Sequence, residues 1–182
     1  MRGPAPRPPR RPGRVSGESG SIFARGAGTR RAGGTSAAID TVTDVTAAKV
    51  SGGFLRALED FDATVGAELK PRLREMIRLR CSHINGCNHS VRLHSEQLSR
   101  LGERPEVIAA LARPVTSMRR DLVSEGDAAA LRFAEILTDY PRGLEADARA
   151  TAGQFFTQVQ LGAIVETVAL VNAWNRVARG SE

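Results

Sequence analysis

Aromatic residues make up only 4% of this 182-residue chain, so any core it builds must rest on Leu, Ile, Val and Ala. Cysteine is scarcer still. Cys81 and Cys87 lie six residues apart, too few and too local for the disulfide framework of a small secreted domain, so their meaning is chemical or one of packing. No apolar run approaches the roughly 18 to 20 residues that cross a bilayer, and the longest candidate, Leu161 to Val171, is broken by Glu166. No membrane span or membrane partner is expected. Sustained period-two alternation with β-branched enrichment is also missing, which argues against sheets. A length of 182 residues with 41% hydrophobic composition suits one domain with a tail rather than two full domains.

The net charge of +6 suggests a nucleic-acid partner until its location is considered. The first 35 residues hold eight arginines (Arg2, Arg7, Arg10, Arg11, Arg14, Arg25, Arg30 and Arg31) against Glu18 alone. The remaining residues carry 18 basic and 19 acidic side chains, so the body is nearly neutral and no nucleic-acid partner is expected. Five of the nine prolines fall in the first twelve residues, and a Gly- and Ser-rich stretch with little to bury follows. Residues 1–50 therefore read as a disordered basic tail, ahead of a domain over residues 51–180. The tail lacks the apolar stretch of a signal peptide, and its prolines oppose the amphipathic helix of a transit peptide, so a cytoplasmic location is expected.

From about Ser51 the apolar spacing becomes helical. Phe54, Leu55, Leu58, Phe61 and Val65 mark a first amphipathic helix. Pro71 is placed as the first residue of a second, through Leu73, Met76, Ile77 and Leu79, which Asn85-Gly86 interrupts. A third runs from near Cys87 to Leu101, where Gly102 supplies a stop, and Pro105 opens a short fourth through Val107, Ile108 and Leu111. Ser124 with Asp127 resembles a capping box before a helix carrying Ala130, Leu131, Phe133, Ile136 and Leu137. After Pro141-Arg142-Gly143 come a helix around Leu144 to Ala152 and a long one from Thr157 to Arg179, ended by Gly180. The expected fold is an all-α bundle of six to seven helices. The long helix carries Leu161, Ile164, Val165, Val168, Leu170, Val171 and Trp174 nearly all round its middle, more than one core-facing stripe requires, so a homo-oligomer is expected. Trp174 itself reads as a core or interface anchor.

Both cysteines and all three histidines sit in the stretch from Glu75 to His94. If Cys87 begins a helix, then Cys87, Ser90 and His94 share one face at i, i+3 and i+7. A helix N-terminus favours thiolate over thiol, which makes Cys87 a candidate nucleophile and the more reactive of the two cysteines. His94 could pass protons, and Glu75 could orient a histidine if the two helices pack antiparallel. A buried structural cysteine with a satisfied histidine beside it fits the same spacing. Zinc is the competing use of these residues, but Cys-x5-Cys with His83, His89 and His94 matches no usual ligand spacing, and neither metal nor cofactor is expected. Arg78 and Arg80 could hold an anion, yet on an amphipathic helix they read first as solvated or paired with acids.

The segment Glu75…Arg78-Leu-Arg80-Cys81-Ser82-His83-Ile-Asn85-Gly86-Cys87-Asn88-His89-Ser90…His94, with the ending Val171-Asn172-Ala173-Trp174-Asn175-Arg176, resembles the carboxymuconolactone decarboxylase and alkylhydroperoxidase D-like (AhpD-like) superfamily. The resemblance covers roughly Phe54 to Ala178 and implies an oligomeric helical protein. It further implies that the peroxidase members' relay glutamate falls on Glu75, their first cysteine on Cys87, the histidine inside the motif on His89 and the downstream relay histidine on His94. Such members reduce hydroperoxides with a Cys-x-x-Cys pair and an external dithiol. Here Ser90 stands at the second cysteine, the one held to attack the peroxide, and a serine hydroxyl cannot be oxidised to a sulfenic acid. Three readings follow: a thiol peroxidase working through Cys87 alone or with Cys81; a non-redox enzyme acting on a small organic acid with His94 or His89 as acid or base; and a non-catalytic oligomeric relative.

Overall fold

Prolines and glycines punctuate this chain where helices need them. The computed structural model describes residues 50–139 and 142–181, and among them it contains helices and turns but no strand. Helix α1 spans Gly52–Asp62, α2 Pro71–Ile84, α3 Asn88–Arg100, α4 Pro105–Ala110, α5 Glu125–Asp139, α6 Glu145–Ala152 and α7 Gln158–Arg179, with one 3-10 turn at Val115–Ser117. Pro71 and Pro105 occupy first helical positions, where the missing N–H costs nothing. The all-α expectation holds. The expected tail over residues 1–50 and Pro141 of the loop before α6 lie outside the described residues, save that Val50 is described.

Two glycines close helices by one geometry. Gly86 (φ 63°) and Gly102 (φ 79°) adopt the left-handed conformation that ends a helix in a Schellman motif. After α2, Cys87 N–H donates to Ser82 O at 3.0 Å and Gly86 N–H to His83 O at 3.1 Å. After α3, Glu103 N–H donates to Leu98 O and Gly102 N–H to Ser99 O, both at 3.0 Å. Ser51 caps α1, its hydroxyl accepting from Phe54 N–H at 3.2 Å. At α5, Ser124 Oγ accepts from Asp127 N–H at 3.1 Å, the forward arm of the expected box. The reciprocal box is at α7, between Thr157 and Gln160.

Helix α2 is the hub, packed against α3, α5 and α7. Its Met76, Ile77 and Leu79 are fully buried with Leu98 of α3, Val107 of α4, Leu131 and Ala134 of α5, and Ile164 of α7. Each of these side chains larger than alanine contributes roughly 1.5–3 kcal/mol of hydrophobic stabilisation. Below this core lies a buried ion pair. Arg80 Nε donates to Glu135 Oε1 at 2.7 Å, and the same carboxylate accepts from Val115 N–H at 2.8 Å and from Arg132 at 3.2 Å.

Three sequence expectations shift in detail. Val65 is not in α1, which ends at Asp62, but is buried in the turn that follows. Helix α1 buries none of its residues, leaving Phe54 and Phe61 about half exposed. On α7, Leu161, Ile164, Val168, Leu170 and Val171 are buried within the protomer, while Val165 faces outward and Trp174 is half-buried. Much of the apolar girdle that suggested self-association is therefore used internally. Among the described residues no helix is long and apolar enough to cross a membrane.

Candidate functional site

The α2–α3 hairpin gathers most of the residues picked out in the sequence. The Schellman closure of α2 makes Cys87 at once the residue after the Gly86 turn and the N-cap of α3, with extended backbone angles (φ −91°, ψ 94°). Its thiol is buried and donates to Ser90 Oγ at 3.1 Å, one helical turn on. A further turn along α3 is His94, whose Nδ1 lies 2.8 Å from Glu75 Oε2 on α2. Glu75, Ser90 and His94 are all buried with the thiol.

Burial pushes the Glu75 carboxyl up, but its hydrogen bond to His94, the His94 charge and the nearby Arg78 and Arg74 outweigh that and leave it below the ordinary carboxylate value. An ionised carboxylate only accepts, so Nδ1 carries the proton in the neutral imidazole and Nε2 is its basic nitrogen. Arg78 joins this pair to α1. Its Nη1 stands 3.4 Å from Glu75 Oε1, and its Nη2 makes a 2.7 Å bond to Asp62 Oδ1 at the end of α1.

The other sequence candidates stand apart. His89 is half-buried, and its buried Nε2 has no hydrogen-bond partner, so the residue does not join the Glu75–His94 pair. Cys81 lies in the hydrophobic core, accepting from Thr138 Oγ1 at 3.2 Å, and burial pushes its thiol up to about 12. The two arginines are paired with acids: Arg78 as described, and Arg80 with Glu135. Among the described residues no group of three or more His, Cys, Asp or Glu side chains is placed to hold a metal ion. A cavity of about 230 Å³ between α5 and α6, lined by Arg132, Ile136, Leu144 and Asp147 among others, contains none of the site residues.

Residues that sequence reasoning did not single out fasten the cysteine turn to α7. Asn85 Nδ2 donates to Asn172 Oδ1 at 2.6 Å, and Arg179 Nη1 donates to Asn85 O at 2.8 Å. The fully buried Asn175 meets Ser82 Oγ at 3.2 Å. The signal was partly visible, since Asn172 and Asn175 flank Trp174. The ties are made by these polar neighbours of the indole.

Residues 52–139, from α1 to the end of α5, match the model of the Carboxymuconolactone decarboxylase family. The chain is also similar to a solved protein of unknown function from Agrobacterium tumefaciens, proposed to be the antioxidant defence protein AhpD. The identity is 25% and the TM-score 0.64, over 72% of this chain and 90% of that one. A second similar structure is an uncharacterized peroxidase-related protein from Silicibacter sp. TM1040, at 20% identity and a TM-score of 0.60, over 72% of this chain and 69% of that one; this likeness is one of fold. No curated protein matches the chain. Together the matches support the carboxymuconolactone decarboxylase and AhpD-like superfamily, the resemblance carried by Glu75 to His94.

Proposed function

We propose that this carboxymuconolactone decarboxylase-family chain is a thiol-dependent hydroperoxide reductase with one reacting cysteine, Cys87. The observation that carries the reading is the burial on one hairpin of two bonded pairs, the Cys87 thiol on Ser90 Oγ and the His94 imidazole on the Glu75 carboxylate, with Cys87, Ser90 and His94 at successive turns of α3. Ser90 stands one turn from each. It accepts from the thiol and hands a proton on to Nε2 of His94, while Glu75 stabilises the imidazolium that forms.

The thiolate of Cys87 attacks the terminal peroxide oxygen of ROOH. The O–O bond breaks, sulfur is oxidised to a sulfenic acid, and the alkoxide leaves as ROH with the proton returned from His94. One thiol of an external dithiol then attacks the sulfenic sulfur, releasing water and leaving a mixed disulfide. The second thiol of that reductant displaces Cys87 as a thiol. The sum is ROOH plus a dithiol giving ROH, water and a disulfide. Ser90 supplies no second sulfur, and Cys81 is in the apolar core with its thiol held protonated, so resolution falls to the external dithiol.

The test is mass spectrometry after one equivalent of hydroperoxide. A single oxygen on Cys87, trappable by a sulfenic-acid reagent and removed by a dithiol, supports the reading. An unmodified Cys87 in the folded protein overturns it and favours non-redox chemistry at His94.

A further inference from the structure

Glu75 has two carboxylate oxygens and they are not equally engaged. Oε2 makes a 2.8 Å bond to His94, while Oε1 meets Arg78 only at 3.4 Å. Charge-assisted N–H···O⁻ bonds normally close to about 2.7–2.9 Å, so the arginine contact is slack. The slack has a visible cause. Arg78 spends its close contact on Asp62, at 2.7 Å, and Asp62 belongs to α1 rather than to the hairpin. Arg78 is largely buried and Asp62 about one-third exposed. The charged groups facing Glu75 are Arg74 and Arg78 of its own helix, His94 of α3 and, through Arg78, Asp62 of α1.

Resting on the reading above, we propose that Arg78 is a positioning residue whose grip on Glu75 is set by Asp62, so that the end of α1 tunes how strongly Glu75 holds the His94 proton. With Asp62 present, the guanidinium is drawn away and the carboxylate's charge is left mainly to His94. Without Asp62 the guanidinium closes on Oε1 and competes with the imidazole for the same carboxylate. Without Arg78 only Arg74 is left to compete with His94 for the carboxylate.

These alternatives carry opposite signs, which a merely structural role would not give. The chain has only three histidines, so His94 can be followed by NMR through its ring C–H signals as pH is varied, with no catalysis required. Arg78→Met should raise the midpoint of His94 by up to about one pH unit, the lower end of what a neighbouring charge contributes. Asp62→Asn should lower it by a smaller amount, and Asp62→Lys should lower it further. Shifts of one sign in all variants, or none in the folded proteins, overturn the proposal. If Arg78→Met does not fold, the Asp62 pair carries the test alone, because that side chain is at a helix end and partly exposed, and a midpoint that does not fall in both variants, further in Asp62→Lys, overturns the proposal. The acid limb of kcat/KM for hydroperoxide should follow the His94 midpoint. If NMR shows the opposed shifts while that limb stays fixed, the tuning holds and the peroxidase role of His94 fails.

Discussion

Replacing Ser90 by cysteine asks whether the scaffold still supports the two-sulfur cycle that its present residues do not. Cys87 Sγ and Ser90 Oγ are 3.1 Å apart, and a sulfur at position 90 must come about 1 Å closer to reach the roughly 2.05 Å of a disulfide. Helical neighbours one turn apart hold their Cβ atoms about 5–6 Å apart, wider than the roughly 3.5–4.5 Å of a disulfide, so closing the bridge requires the start of α3 to shift. Cys87 is an N-cap with extended backbone, so it can adjust without breaking the α3 ladder. The Glu75–His94 pair remains in place to serve as the proposed relay. Dithiol-dependent hydroperoxide reduction by Ser90→Cys should exceed that of the parent by at least about tenfold, equivalent to about 1.4 kcal/mol in the barrier. Peroxide consumption coupled to dithiol oxidation measures the rate, and thiol titration after one equivalent of peroxide should show two thiols lost. Two thiols lost with no gain in turnover would refute the relay argument. No disulfide in a folded variant would refute the geometry.

Glu135→Gln should destabilise the protein by about 3 kcal/mol, since it leaves buried Arg80 without a counter-charge, and calorimetry should show Tm lower by roughly 6–12 °C; a change under about 1 kcal/mol would contradict this. Glu75→Gln should cost about 1–2 kcal/mol at neutral pH. Because the folded value of Glu75 lies below its ordinary one, the parent's advantage exists above the ordinary carboxylate range and is lost as pH falls below about 4, so urea denaturation of both proteins should converge there. At pH 8 a thiol with a value of about 12 is ionised at roughly one part in ten thousand, so iodoacetamide should modify Cys87 before Cys81, as peptide mapping will show; Cys81 labelled first would overturn the assignment.

The helix boundaries were legible because they follow from local chemistry. Pro71 and Pro105 at first positions and Gly86 and Gly102 in left-handed turns need only their immediate neighbours. The Thr157–Gln160 pair has the same local spacing as Ser124 and Asp127, and it is the one that closes in both directions. Helical spacing also put Ser90 and His94 on the face of Cys87, and an antiparallel hairpin brought Glu75 to His94. Periodicity says which residues share a face, not what that face meets. Arg80 and Glu135 are 55 positions apart and Asp62 lies on a separate helix, so their pairings come from packing that no local pattern encodes. His89 was placed at the site by family resemblance, and the structure leaves its buried Nε2 without a hydrogen-bond partner.

The ties from α7 to the cysteine turn also set an order of events during synthesis. Asn85 is held by Asn172 and Arg179, contacts that close loops of 87 and 94 residues. Chains fold from the N-terminus as they emerge, and long loops close late. The hairpin bearing Cys87 can therefore form well before its clasp does, and a ribosome stalled ahead of Arg179 leaves the thiol on an unfastened turn. The turn that carries Cys87 is thus fastened by the part of α7 made last, so the order of synthesis separates forming the hairpin from securing it.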